Sequence, residues 1–283
     1  MRILIIGSNG LLGRDLIEDW RGDDLIPASS RDADIREVRQ VRQLVAREHP
    51  DWIILTAAYT DVDGSERDPD RAFAINRDGA RNVSLVAREL GAKLCYLSTD
   101  YVFDGASDHP YEPDDPVHPL NVYGASKAAG EKAVQEQAGH WLIARTAWLF
   151  GAARASFPEK ILLAADSQPE LKVVADQVGS PTYTRDLTKA IRELVRADVH
   201  GILNITNSGS CSWFEFAQEI LWRAGRKTRV LPITTALAAR PAMRPAYSVL
   251  SPATLASHGI TLRSWQDAVE PYLGDLRRKG KLR

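Results

Sequence analysis

The chain of 283 residues is long enough to bury one large core or two modest ones, and its 44% hydrophobic and 26% charged residues are the balance of a globular protein, not a disordered one. A formal net charge of -1 gives no general reason to expect nucleic acid as a partner. No run approaches the roughly 18 apolar residues of a membrane span, and the opening "MRILIIGSNG" is too short for a signal peptide, so the expectation is a cytoplasmic protein without a membrane partner.

Short apolar runs bounded by turn residues alternate with segments of helical period: "RILIIG", "LGRDLIEDW", "DLIPASS", "REVRQVRQLVAREH", "DWIILTAA", "AFAINRDGARNVSLVAREL" and "KLCYLST". That alternation predicts βαβ units and a Rossmann-type, doubly wound α/β fold with a mainly parallel sheet. "HWLIARTAWLFG" reads as a further buried strand. Beyond about residue 150 the alternation weakens, prolines cluster in "RPAMRPAYSVLSP" and aromatics gather in "SWFEFAQEILW". The expected organisation is a dinucleotide-binding domain over 1–150 and a smaller, mainly substrate-binding lobe over 151–283. The two partly interleave, because "ILNIT" within 176–208 reads as a strand that rejoins the main sheet. Cys95 and Cys211 belong to no disulfide framework or metal spacing and read as buried, inert thiols. The closing "RRKGKLR" reads as a solvated tail.

The first strand runs into "GSNGLLG", which puts Gly7, Gly10 and Gly13, with Ser8, Asn9, Leu11 and Leu12 between them, at the turn into a helix. Glycines there let the backbone approach a pyrophosphate at the positive helix end, although three glycines also suit simple turn chemistry. At the end of the second strand, Ser29, Ser30 and Arg31 stand where an NAD site usually offers a carboxylate. A hydroxyl and a guanidinium suit a 2′-phosphate, so NADPH is the expected cofactor, with NADH possible because Asp32 lies close by. Asp34 and Ile35 would meet the adenine edge, and the small Ala57 and Ala58 would leave room for a ribose at the third strand's carboxyl end.

"KLCYLSTD" ends in Thr99 and Asp100, and "NVYGASKAAGEK" places Tyr123 and Lys127 four residues apart on one helical face. Alone, a Tyr and a Lys at this spacing are most often a solvated helix face. Beside a nicotinamide they supply a proton donor and a cation, with Lys127 expected to draw the phenol's pKa down from its ordinary value near 10.

In this order the motifs resemble the extended short-chain dehydrogenase/reductase superfamily and, more narrowly, its dTDP-4-dehydrorhamnose reductase family. The likeness runs nearly end to end through "TAAYTDVD", "STDYVFDG", "NVYGASKAAGE", "RTAWLFG", "VVADQVGSPT" and "RPAYSVL". It implies reduction of the 4-keto group of a dTDP-sugar, with Tyr123 as proton donor, Lys127 as its partner and Thr99 tuning the acid and contacting the sugar. It also implies that Asp100 and Trp148 line the sugar site, that Tyr59 joins the cofactor contacts, that Asn76 supports the site and that Arg244 pairs with the substrate pyrophosphate. For Trp148 and Arg244 the competing readings are a core aromatic and a surface cation. The family's usual glutamate after "PY" is replaced by Pro113. Some members hold magnesium through interfacial glutamates as dimers. Asp15 falls near one such position without an acidic cluster, so no metal ligand is expected and the chain would be a monomer or homodimer. A dehydratase would follow the threonine with Asp–Glu, whereas here Asp100 precedes Tyr101. An epimerase or a non-catalytic regulatory subunit remains open as an alternative.

Overall fold

The structure is a computed structural model that describes residues 1–282. In chain order the strands are β1 (Arg2–Ile6), β2 (Asp24–Ala28), β3 (Trp52–Leu55), β4 (Lys93–Thr99), β5 (Trp141–Thr146), β6 (Leu149–Phe150), β7 (Glu170–Val174), β8 (Val178–Gly179), β9 (Thr182–Tyr183), β10 (Gly201–Asn204), β11 (Cys211–Ser212) and β12 (Arg229–Ile233). The helices are α1 (Leu11–Asp19), α2 (Val38–Glu48), α3 (Val62–Arg67), α4 (Pro69–Phe73), α5 (Ala80–Glu89), α6 (Val122–Gln137), α7 (Phe157–Ala165), α8 (Thr184–Arg196), α9 (Trp213–Arg223), α10 (Thr235–Ala238), α11 (Ala253–Ser257) and α12 (Trp265–Arg278).

Six parallel strands form the main sheet in the order β10-β5-β4-β3-β1-β2. Successive side chains of β1 divide between its faces, as strand geometry requires. Ile3 and Ile5 join Leu12, Leu16, Leu187 and Ile191 of α1 and α8, while Leu4 and Ile6 join Val41, Leu44, Val83 and Val134 of α2, α5 and α6. Burial on both faces explains why these strands are continuous apolar runs. The chain is thus a Rossmann-like, doubly wound α/β protein. A separate core gathers Phe150, Tyr183, Phe216, Trp265 and Tyr272 with α7, α9 and α12.

Three segments depart from the sequence reading. The run "AFAINRDGARNVSLVAREL" is not one α-helix, because residues Ala74–Gly79 form a π-helical turn between α4 and α5. The wider turn carries Asn76 inward, to 1% exposure. The single strand expected over "HWLIARTAWLFG" breaks after Thr146, where Trp148 adopts a left-handed φ of 45° before β6 resumes. The basic end of the chain is held, not free: Lys279 pairs with Glu18 at 3.3 Å, Lys281 pairs with Glu159 at 3.1 Å and Leu282 is buried. The last residue of that segment lies outside the described residues. Among the described residues no helix is long and apolar enough to cross a membrane.

Candidate active site

A cleft of about 1050 Å³ opens at the carboxyl ends of the main sheet, where open α/β sheets bind ligands. Gly7, Asn9, Gly10, Leu11, Leu12 and Gly13 line it, whereas Ser8 is buried and does not. Gly7 has φ +99°, and a Cβ there would stand 2.5 Å from the Ala57 nitrogen and 2.6 Å from Thr56 Oγ1. Only glycine fits that turn. Gly10 caps α1 without a side-chain bond, and the first turn has no acidic residue, so the helix's open N–H groups and positive end face the cleft. That cradle fits a dinucleotide diphosphate.

At the far end Ser29, Ser30, Asp34, Ile35 and Arg36 line the cleft, and Arg31 does not. Asp32 is folded back onto Ser29, accepting from its nitrogen and its hydroxyl at 2.8 Å each. Arg36 grips Asp34 through its Nε at 3.0 Å and its Nη2 at 2.5 Å, which holds the Asp34 carboxyl below the usual range. Arg36 lines this end of the cleft, while Arg31 is exposed outside the lining. Nothing in "SSRDADIREVRQVR" distinguishes the two, because the choice depends on how the loop turns after Asp34.

Ala57 and Ala58 line the cleft, but Tyr59 and Asn76 stand behind it. Asn76 accepts from the Tyr59 nitrogen at 2.8 Å and donates to the Tyr59 carbonyl at 3.0 Å and to Ser126 Oγ at 2.9 Å; Ser126 in turn donates to the Tyr123 carbonyl at 2.7 Å. The π-helical turn thus braces the start of α6, and Asn76 acts on the cleft wall from outside.

Thr99, Asp100, Tyr123 and Lys127 meet in the cleft. Thr99 Oγ1 donates to Asp100 Oδ1 at 2.9 Å, and Ser248 Oγ donates to Asp100 Oδ2 at 2.6 Å. Burial pushes Asp100 up to about 6, against the pull of those two hydroxyls. Burial likewise raises the Tyr123 phenol to about 12, opposed by the Thr99 hydroxyl. Lys127 Nζ donates to the Leu97 carbonyl at 2.6 Å and sits 3.9 Å from the centroid of the Tyr96 ring, and burial lowers it to about 7 although Glu131 opposes the shift. Its Nζ is thus directed to Leu97 and Tyr96. Glu131 is itself clamped by Arg145 at 2.9 and 2.7 Å, and Arg145 donates to the Pro113 carbonyl at 2.9 Å, which gives the residue in the family's glutamate position a backbone role. Ser98 Oγ and Thr146 Oγ1 are buried at the cleft wall without a partner among the described residues. Two orphaned hydroxyls beside Tyr123 fit the amide of a nicotinamide.

On the sugar side Trp148 lines the cleft, stacked on Trp213 with centroids 3.5 Å apart and planes at 7°. Arg244 does not line it. It pairs with Asp63 at 3.0 Å and donates to the Ala242 carbonyl at 2.7 Å. Arg71 and Arg154 are exposed cations at the cleft wall, Arg71 lying over the Tyr59 ring at 5.0 Å, and no sequence motif marked either. Asp15 is buried at 2% exposure against Thr184, and the nearby Glu18, Asp19 and Asp275 are all held by Arg185. Among the described residues no three His, Cys, Asp or Glu side chains converge on a metal position.

Residues 1–278 match the RmlD substrate binding domain family. A dTDP-4-dehydrorhamnose reductase from Burkholderia thailandensis is 37% identical, covering 98% of this chain and 99% of that protein. The spore coat polysaccharide biosynthesis protein SpsK of Bacillus subtilis is 38% identical, covering 96% of each. The crystal structure of a dTDP-4-dehydrorhamnose reductase from Bacillus anthracis in complex with NADP superposes with a TM-score of 0.95 at 40% identity, over 97% of this chain and 99% of that one. A glycine cradle open to a diphosphate, a half-buried phenol facing the cleft with Thr99 and this end-to-end likeness lead to one assignment: the chain belongs to the RmlD substrate binding domain family, that of the dTDP-4-dehydrorhamnose reductases.

Proposed function

We propose that the protein reduces the 4-keto group of dTDP-4-dehydro-L-rhamnose to give dTDP-L-rhamnose, with NADPH as preferred cofactor and NADH as a second. Supplied by the bound cofactor, a hydride reaches the carbonyl carbon. Gly7 to Gly13 and the α1 end hold the diphosphate; Ser29, Ser30 and Arg36 take the 2′-phosphate; Ala57 and Ala58 admit the ribose. Ser98 and Thr146 orient the nicotinamide amide.

The observation that carries this reading is the Tyr123 phenol, raised to about 12 and placed with Thr99 in the dinucleotide cleft. A phenol that stays protonated near neutrality gives up its proton only as negative charge grows on the sugar oxygen. Thr99 steadies that oxygen and the phenol. Lys127, lowered by burial, orders the floor through Leu97 and offers its remaining protons to the ribose. Arg71 and Arg154 face the substrate diphosphate, and the lobe over 151–283 supplies most of the sugar-nucleotide contacts while 1–150 holds the cofactor. We infer a cytoplasmic protein, monomer or homodimer, with no part for nucleic acid or membrane.

Elimination of water, as in a dehydratase, would require a base beside Asp100. Tyr101 occupies that position, and burial drives its phenol far above its ordinary value, so it cannot serve. Purified protein given dTDP-4-dehydro-L-rhamnose should oxidise NADPH faster than NADH in an absorbance assay. Tyr123→Phe should lose roughly 100- to 10,000-fold in kcat while binding NADPH within about threefold of wild type. An unchanged kcat in that variant would remove Tyr123 as the donor.

A further inference from the structure

Lys127 is 2% exposed on α6, and a buried ammonium persists only where other groups replace its lost water. Glu131, one turn further along α6, favours that charge, but Arg145 of β5 takes both of its oxygens at 2.9 and 2.7 Å. Asp100, just after β4, is taken by Thr99 and Ser248, and the Tyr123 phenol, raised to about 12, carries no charge near neutrality. Among the described residues, what meets the Lys127 Nζ is the Leu97 carbonyl at 2.6 Å and the Tyr96 ring, whose centroid lies 3.9 Å away. That distance is well inside the roughly 6 Å reach of a cation–π contact. The ring is itself fixed. The Tyr96 hydroxyl donates to the Asn76 carbonyl of the π-helical turn at 3.2 Å. On α6 a Cβ at Gly130 would stand 2.3 Å from the same hydroxyl oxygen, 2.4 Å from the Asn76 carbonyl oxygen and 3.0 Å from Tyr96 Cζ, so only a bare backbone there admits the ring beneath the helix. A tyrosine serving only the core needs apolar neighbours, whereas this one turns its face to a buried cation.

Resting on the reading that Lys127 serves a bound NADPH, we propose that Tyr96 is a positioning residue that holds the Lys127 ammonium on its ring face, in the place a carboxylate would otherwise take. An ammonium has three protons to place and no lone pair. One goes to the Leu97 carbonyl and one to the ring, which leaves one for the cleft that Lys127 lines. A carboxylate in the ring's position would draw the ammonium into an ion pair and away from a ligand, while the weaker attraction of a π face sustains the charge without competing for it. The π-helical turn thereby reaches the cleft twice, through Ser126 to Tyr123 and through Tyr96 to Lys127.

The test grades the electrostatics of the ring while keeping its shape. Tyr96→Phe retains the face, and placing the 4-fluoro and 3,4,5-trifluoro forms of phenylalanine at the same position withdraws the face's negative charge in steps. NMR of isotope-labelled lysine side chains in the full chain, with the Lys127 signal identified by its loss in Lys127→Met, reads the pKa of the amine directly. Tyr96→Phe should stay close to wild type, and the trifluoro ring should lower the amine by about one pH unit, with the 4-fluoro ring between them. The pH at which NADPH binding, followed by fluorescence, falls to half should move down by the same amount, so that above both values NADPH binds about tenfold more weakly. A ring that only fills space would leave the amine unmoved along the series. If the trifluoro protein does not fold, the 4-fluoro ring against phenylalanine reads the same trend at roughly a third of the size. An unchanged Lys127 pKa across the folded members overturns the inference and leaves the reductase reading intact. A pKa that falls along the series, in a wild type that binds NADPH but turns over no dTDP-4-dehydro-L-rhamnose, sustains the role of Tyr96 and overturns the reductase reading instead.

Discussion

Asp100 is 2% exposed, and each of its carboxylate oxygens accepts from one hydroxyl, Thr99 on one side and Ser248 on the other. Two neutral donors do not repay the desolvation of a buried charge, so the carboxyl sits at about 6, up from its ordinary 3.8. Between those two values the folded state binds more protons than the unfolded state, so this group makes stability fall as pH rises from about 4 through 6. A shift of about two pKa units corresponds to about 3 kcal/mol. Urea unfolding of wild type and Asp100→Asn across pH 4 to 8 should show the variant gaining on wild type by up to that amount, with the change centred between 4 and 6. A difference independent of pH would mean that Asp100 is not strained by its burial. The same carboxylate holds the Thr99 hydroxyl in place, so the stability cost and the order of that threonine have one origin. At this scale the sequence identified side chains but not their neighbours. That Thr99, Tyr123 and Lys127 would meet in one cleft was legible from their order. The direction of the Lys127 ammonium, towards Leu97 and Tyr96, depends on a strand and a ring remote in sequence.

Among the elements, α6 carries the chemistry and must lie close to the sheet to deliver it. A Cβ on Gly124 would stand 2.0 Å from the Tyr101 carbonyl oxygen and 3.0 Å from Pro119 Cβ, and both are backbone or ring atoms with little freedom to move. Helix propensity alone would favour Ala there by about 1 kcal/mol. The close approach predicts the reverse: Gly124→Ala should lose about 1–3 kcal/mol in urea unfolding. It should also lose at least tenfold in kcat, because lifting the first turn of α6 moves Tyr123 off the reacting oxygen. Equal or greater stability would show that the helix does not depend on that contact. The strands were the most legible elements, since β1, β3 and β4 are buried on both faces and read as unbroken apolar runs. Where the chain leaves ordinary geometry, periodicity was a poor guide. The residues of the π-helical turn are compatible with an α-helix, and tertiary bonds from Asn76 to Tyr59 and Ser126 select the wider turn. The break at Trp148 falls inside an apolar run because the residue serves the cleft and not the strand.

Across the whole molecule the segment from Thr234 to Leu250 straps β8 to α3, the start of α6 and Asp100. Its inner end is stitched to β8 by backbone bonds of 2.8 Å, Val178 nitrogen to the Ala246 carbonyl and Ser248 nitrogen to the Val178 carbonyl, and Ser248 reaches Asp100. Its middle rests on α3 and α6. Asp63 accepts from the Ala242 nitrogen at 3.2 Å and from Arg244 at 3.0 Å, and Asn121 Nδ2 donates to the Met243 carbonyl at 2.8 Å. Desolvation would raise the Asp63 carboxyl, but the Ala242 N–H, Arg244 and Arg240 outweigh it and hold the group below its ordinary value. The sign of the linkage follows: this clamp contributes above the unfolded carboxylate's pKa and is lost as pH falls through the depressed folded value. At 14% exposure for Asp63 and 15% for Arg244 the pair is screened less than a surface bridge but not fully desolvated, so its loss should cost about 1–2 kcal/mol. Because the strap opens locally, that cost should appear as faster amide hydrogen exchange, about tenfold for each 1.4 kcal/mol, confined to residues near 235–246 in Asp63→Ala. Exchange in β1, β3 and β4 should be unchanged. Uniform acceleration across the sheet would mean that Asp63 supports global stability instead of the strap, and no acceleration at all would mean that Asn121 and the β8 stitching hold the segment without it.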